Sequence, residues 1–215
     1  YSQGTRSSIA VVLRRYGGRI FEVKRKRWPC SSTRLSFTRG CRTGIDPPPD
    51  WIDRAVDVNL KGLMHGTQVA LAGMLRQGGG TIYNTVGFGY DGRKQKDLTV
   101  YGTTKVAARY FTESTAKELG DCPVKVSWLN PGFVLTPMTV EENRRIRARI
   151  GDAQWRKIRW VMNAMADTPE TATPWLVERI LKGRKPIDRL PPGVFLRRLL
   201  VSLLTRPDPL RQHGL

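Results

Sequence analysis

The sequence predicts an α/β fold holding part of a doubly wound parallel sheet, with the amino-terminal half degenerate or missing. Three observations carry this. Two β-branched and aromatic runs, TIYNTVGF at 81–88 and PVKVSWLN at 123–130, have the near-continuous apolar character of strands covered on both faces. Each follows a long run with helical apolar spacing, giving the order helix, strand, helix, strand. Gly or Pro closes every one of these segments.

Residues 1–45 stand apart. They hold eleven Lys or Arg against one acid, Glu22, so they carry +10 of the chain's formal +19. They are rich in Arg, Ser and Thr and show only a short apolar patch at 9–13. This composition reads as a basic, disordered or transit-like arm, or as mispredicted sequence, and Tyr1 in place of Met reads as a fragment. Pro47, Pro48 and Pro49 mark a boundary, with Asp50 as the expected cap of the next helix.

That helix is expected over 51–77, with Ile52, Ala55, Val56, Leu60, Leu63, Met64, Val69, Ala70 and Met74 on its buried side. Gly78, Gly79 and Gly80 end it. After the first strand a Gly-rich, charged loop leads to a second helix at 100–119, and the second strand stops at Pro131 and Gly132. Thr136 and Pro137 open a third helix. Asp152 to Ala166 forms a further helical run, whose stripe of Trp155, Ile158, Val161, Met162 and Met165 is assigned to core packing. Thr168, Pro169 and Glu170 start another through Leu181. The organisation is thus 1–45, a basic arm; 46–190, the α/β domain; and 191–215, a basic amphipathic tail that packs on the domain or makes a peripheral membrane contact.

Composition narrows the chemistry. Cys30, Cys41 and Cys122 show no paired spacing and His65 and His213 stand alone, so neither a disulfide framework nor a metal centre is expected. About half the net positive charge sits in the arm and no nucleic-acid-binding module is visible, so nucleic acid is not an expected partner. No apolar run is long enough to span a bilayer. What remains is Tyr101 and Lys105, four residues apart and so on one side of the 100–119 helix. An ammonium near a phenol favours the phenolate, and the pair is expected to bring the Tyr pKa from about 10 toward neutrality for acid/base work.

The ordered motifs VNLKG at 58–62, a strand ending in a Gly-rich loop, YGTTK at 101–105 and NPGFVLT at 130–136 resemble the short-chain dehydrogenase/reductases. The resemblance implies a Rossmann-like domain using NADPH. It implies Tyr101 as acid/base, Lys105 as the residue that binds the nicotinamide ribose and tunes Tyr101, and Asn59 as the holder of a relay water. Pro131, Gly132 and Thr136 are implied to flank the nicotinamide. The stretch YNTVGFGYDGRKQKDLTVYGTTK, with the later ADTPETATPWLVERIL, is similar to the chlorophyll(ide) b reductases. That similarity implies reduction of a formyl group on the pigment ring, a chloroplast location, and homo-oligomers or a reductase complex. The alternatives are a non-catalytic or truncated relative acting as a binding or scaffold protein, and a reductase for another carbonyl substrate.

Two departures from the family pattern stand out. The family's serine, about a dozen residues before the Tyr, is missing: no Ser lies between Gly78 and Tyr101, and its place falls at Gly87 or Tyr90, with Tyr90 the expected substitute and Thr85 nearer the strand. No GxxxGxG and no NNAG occur, and Gly17, Gly18 and Arg19 are a poor replacement for a pyrophosphate-holding turn.

Overall fold

A computed structural model describes residues 10–13, 49–95, 98–205 and 207–215, with side chains from Asp50 onward. The chain divides into two compact units, 1–129 and 130–215. All but one tetrapeptide of the basic arm lies outside the described residues. That tetrapeptide, Ala10–Leu13, is strand β1, formed from the apolar patch of an otherwise polar stretch.

In the first unit α1 (Pro49–Val56) runs through a π-helical turn, Asp57–Lys61, into α2 (Gly62–Arg76). The expected single helix is therefore interrupted in its middle: the Gly62 amide donates to the Asp57 carbonyl five residues back. Gly78 and Gly79 end α2 at φ 85° and 146°, conformations open to Gly, and the Gly79 amide donates to the Met74 carbonyl at 2.9 Å. β2 (Gly80–Thr85) follows, then α3 (Thr99–Leu119) and β3 (Val124–Asn130). β2 and β3 are parallel, in register from Gly80 opposite Val124 to Thr85 opposite Leu129. α3 is their crossover, as parallel pairing requires. β1 adds to the other side of β2 in antiparallel sense, Ala10 opposite Asn84, so the sheet is not purely parallel.

The core of this unit is Ala70, Met74, Ile82, Val124 and Val126, with Leu71, Ala116, Leu119 and Cys122 packed on it. Both helices thus lay an apolar stripe on one face of the strands, where Val124 and Val126 stand two residues apart on β3.

The second unit contains β4 (Phe133–Val134), α4 (Pro137–Met165), β5 (Ala166–Asp167), α5 (Pro169–Leu181), β6 (Ile187–Asp188) and α6 (Pro192–Thr205). A 3₁₀ turn, Pro209–His213, closes it. α4 is two helices joined at Gly151, whose φ of 78° and ψ of 163° are not helical, in keeping with the separate run expected from Asp152. Trp155, Ile158 and Met162 pack with Leu135, Val140, Leu210 and Leu215, so this part of the expected stripe is core. The tail helix α6 belongs to this compact unit. Among the described residues no helix is long and apolar enough to cross a membrane.

Candidate active site

The site of the first unit is built where β2 ends and α3 begins. α3 has good helix formers and no Pro, and its Ala108 and Thr112 are buried on the inner side with Thr104 and Lys105. Its inner face is tied to the strand by side chains. Asn84 of β2, with no exposed surface, accepts from the Thr67 hydroxyl of α2 at 3.1 Å and donates to the Thr112 hydroxyl of α3 at 3.0 Å. Thr67 and Thr112 are far apart in the sequence, yet one amide bonds to both, so a buried polar group becomes a brace between layers.

Tyr101 and Lys105 come together as their spacing requires. The Lys105 ammonium lies 5.5 Å from the centre of the Tyr101 ring, and Lys105 is only 7% exposed. The protonation expectation is overturned, however. Burial pushes the Tyr101 phenol up to about 12. Desolvation penalises the phenolate, and the amine faces the ring without bringing the pKa down. Tyr101 is therefore a held acid at neutral pH.

Gly87, just past the carboxyl end of β2, lies against the Tyr101 hydroxyl. A Cβ at this position would land on that oxygen and sit 3.4 Å from Cε of Lys105. Of the two places where the missing serine was expected, Gly87 is the one in contact with the phenol, and it has no hydroxyl to offer. Tyr90, the expected substitute, has its ring in packing: 5.1 Å from the Trp128 ring, with the Arg109 guanidinium 5.5 Å from one ring and 5.3 Å from the other. Glu113 completes the arrangement, accepting from Trp128 Nε1 at 3.0 Å and from Arg109 Nε at 2.8 Å. The ring of Tyr90 thus belongs to a cluster with Val86 and Trp128.

Residues 87–92, GFGYDG, have the GxGxxG spacing of a phosphate-holding turn. Here the glycines serve another end. α3 begins only at Thr99, and the loop forms two successive turns, Tyr90 N to Gly87 O at 3.1 Å and Gly92 N to Gly89 O at 2.9 Å. At Gly89, φ is 88° and an added Cβ would stand 3.2 Å from Cα of Gly102. Two glycines, one in the loop and one in YGTTK, let backbone meet backbone.

Asn59 lies in the π-helical turn and donates to the Thr104 hydroxyl at 3.2 Å; Thr104 in turn donates to the Tyr101 carbonyl at 2.7 Å. The implied water-holding residue is thus joined to the acid's own backbone through Thr104, which the YGTTK motif contains but its Tyr-to-Lys spacing does not single out.

Pro131, Gly132 and Thr136 lie in the second unit. Gly132 has φ 76°, and its amide donates to Asn130 Oδ1 at 3.2 Å. Thr136 caps α4: its hydroxyl accepts from the Thr139 amide at 3.3 Å, and its own amide donates to the Thr139 hydroxyl at 2.7 Å. A second buried ionic group occurs in this unit. Asp167 accepts from Arg189 at 2.8 and 2.9 Å and from Arg198 at 2.9 Å. Burial pushes its carboxyl up, but hydrogen bonds from Arg189 and Arg198 and their charges hold it below the ordinary range. Among the described residues no group of His, Cys, Asp and Glu could hold a metal ion.

Residues 45–147 match the family model for short chain dehydrogenase. An uncharacterized oxidoreductase of Staphylococcus epidermidis is 42% identical over 88 residues, covering 40% of this chain and 37% of that protein. One from Staphylococcus aureus is 35% identical over 102 residues, covering 47% and 43%. The match thus spans less than half the length of these relatives. Among solved structures, a short chain dehydrogenase/reductase family protein aligns with TM-score 0.52 at 22% identity, over 67% of this chain and 57% of that one. The L-sorbose reductase of Gluconobacter frateurii, complexed with NADPH and L-sorbose, aligns with TM-score 0.53 at 17% identity over the same shares. These two establish the α/β, Rossmann-like fold.

Proposed function

We propose, with residues 45–147 belonging to the short-chain dehydrogenase/reductase family, that this chain carries the proton-transfer half of an NADPH-dependent carbonyl reductase. The observation behind it is a buried phenol and a buried ammonium one helical turn apart, at the carboxyl end of a parallel strand, where open α/β sheets bind ligands. Tyr101, its proton held to about 12, gives that proton to the carbonyl oxygen. Lys105 supplies positive charge beside the phenolate left behind. The Asn59–Thr104 chain fixes the first turn of α3, so the phenol keeps its position as the proton leaves.

The donor set fits the nicotinamide-ribose end of such a cofactor, since Lys105 and Tyr101 offer an ammonium and a hydroxyl to sugar oxygens. Bound there, the dinucleotide supplies the hydride for the carbonyl carbon. Pro131, Gly132 and Thr136 belong to the same proposal as cofactor contacts. The substrate we propose is the formyl group of chlorophyll(ide) b, in a chloroplast, with a homo-oligomer as the working form; the support is the wording of 83–105 and 166–181 and the composition of the arm.

The test is turnover of chlorophyllide b and of a panel of simpler aldehydes and ketones with NADPH. Tyr101→Phe and Lys105→Ala should each lower kcat on the order of 10²- to 10⁴-fold while circular dichroism stays unchanged. Unchanged turnover in both removes the assignment, and activity on other carbonyls alone removes the pigment. One observation favours a second reading, a non-catalytic relative acting as a binding or scaffold element: the Tyr101 hydroxyl rests on the backbone of Gly87, in space a side chain would fill. Saturable quenching or enhancement of NADPH fluorescence, without turnover, is its signature.

A further inference from the structure

Helix α6 carries apolar side chains on both of its sides, with Phe195 and Leu199 partly buried. Its inward side carries Arg198 and Ser202: Arg198 Nη1 donates to the Met165 carbonyl at 3.2 Å and to Asp167 Oδ2 at 2.9 Å, and Ser202 is 1% exposed. Its outward side carries Leu196, Leu200, Val201, Leu203 and Leu204, which are between 47% and 88% exposed. Leu196, Leu200, Leu203 and Leu204 recur at i, i+4, i+7 and i+8, so they form one stripe along a helix of 14 residues. The ion pair to Asp167 fixes the rotation of the helix, and the leucines cannot turn inward without breaking it. Scattered apolar surface needs no explanation, but a contiguous leucine stripe opposite an inward-facing, ion-paired arginine does.

Charge decides what covers the stripe. The sequence from 189 to 207 contains Arg189, Arg197, Arg198 and Arg206 and no acid. Arg197 is exposed and lies on the same side of the helix as the stripe, next to Val201 and Leu204 in helical projection. A second copy of this face would set arginine against arginine with no carboxylate to pair. An anionic lipid surface satisfies both features: leucines enter the acyl boundary and arginine meets headgroup phosphate. We infer that α6 docks the protein on the surface of an anionic bilayer, lying in its plane.

The test is co-sedimentation of the full chain with large vesicles of phosphatidylcholine, with and without phosphatidylglycerol. Binding is expected only with phosphatidylglycerol, and it should fall with added salt. Leu200→Asp with Leu204→Asp, both on exposed positions, should weaken it about tenfold or more. Arg197→Glu should weaken it too while leaving thermal unfolding unchanged, which keeps the outcome readable if the double variant misfolds. Failure to bind anionic vesicles, equal binding to neutral ones, or binding that survives Arg197→Glu overturns the inference. So does a concentration-dependent dimer in sedimentation equilibrium that Leu200→Asp abolishes, since the stripe would then be a self-association face.

Discussion

Two ionisable side chains, one in each unit, are controlled in opposite ways. Asp167 is held by partners: two guanidiniums reach it within 2.9 Å and keep it charged against the cost of burial. Tyr101 is held by its surroundings: burial keeps it neutral although an ammonium stands 5.5 Å from its ring. At Asp167 hydrogen bonds and charge from two guanidiniums together outweigh burial, whereas at Tyr101 burial prevails.

The largest expected effect comes from breaking the first kind of control. Asp167→Ala leaves Arg189 and Arg198 without their shared anion, and should cost about 3–5 kcal/mol in urea unfolding; a loss below about 1 kcal/mol means that the ion pairs are not holding the fold. In the native protein the same group contributes to the acid side of the stability profile. Its folded pKa is depressed, so its contribution is present above the unfolded value and is lost as pH falls through the folded one.

The next effect isolates the second kind of control. The folded pKa of Tyr101 is about 12 against 10.0 for the free side chain, so the unfolded chain releases its proton first. Stability from this residue is complete below pH 10 and declines up to about pH 12, by about 3 kcal/mol in all. Tyr101→Phe should flatten that part of the alkaline limb, and a limb of the same depth in the variant contradicts control by burial. The smallest effect sharpens the geometry around the donor. Thr104→Val removes the link between Asn59 and the Tyr101 carbonyl, and should cost about 1–2 kcal/mol of stability. Thr104→Ser keeps the hydroxyl and should restore most of it, whereas equal loss in both would assign the effect to the methyl group.

Much of the fold was legible in the chain, because the signals were local. Apolar spacing marked α2, α3 and both parts of α4, Gly78 to Gly80 and Gly120 marked ends, and Thr136 with Pro137 marked a cap. The π-helical turn at Asp57–Lys61 was not, since DVNLK is as compatible with a regular helix; β1 was not, since four apolar residues in a basic arm name no pairing partner. At the site, spacing placed Tyr101 beside Lys105 but contained nothing about depth, so the direction of the phenol's pKa shift was read wrongly. The surroundings of Tyr90 were likewise hidden, because Trp128, which packs on its ring, lies far along the sequence. Thr104 was hidden because its role depends on Asn59, which comes from another helix.

The hydrogen bond from Gly62 back to Asp57 has a consequence for how this region tolerates change in length. Five residues occupy what is otherwise a four-residue loop of the spiral, so everything upstream is turned by about 100° from where an unbroken helix would put it. Removing one residue between 57 and 61 would let the spiral close normally and leave Leu63, Thr67, Ala70 and Met74 seated on the sheet, yet it would swing the whole of α1 away from α3. The extra residue works as a phase adjuster, aiming one end of a rod independently of the other.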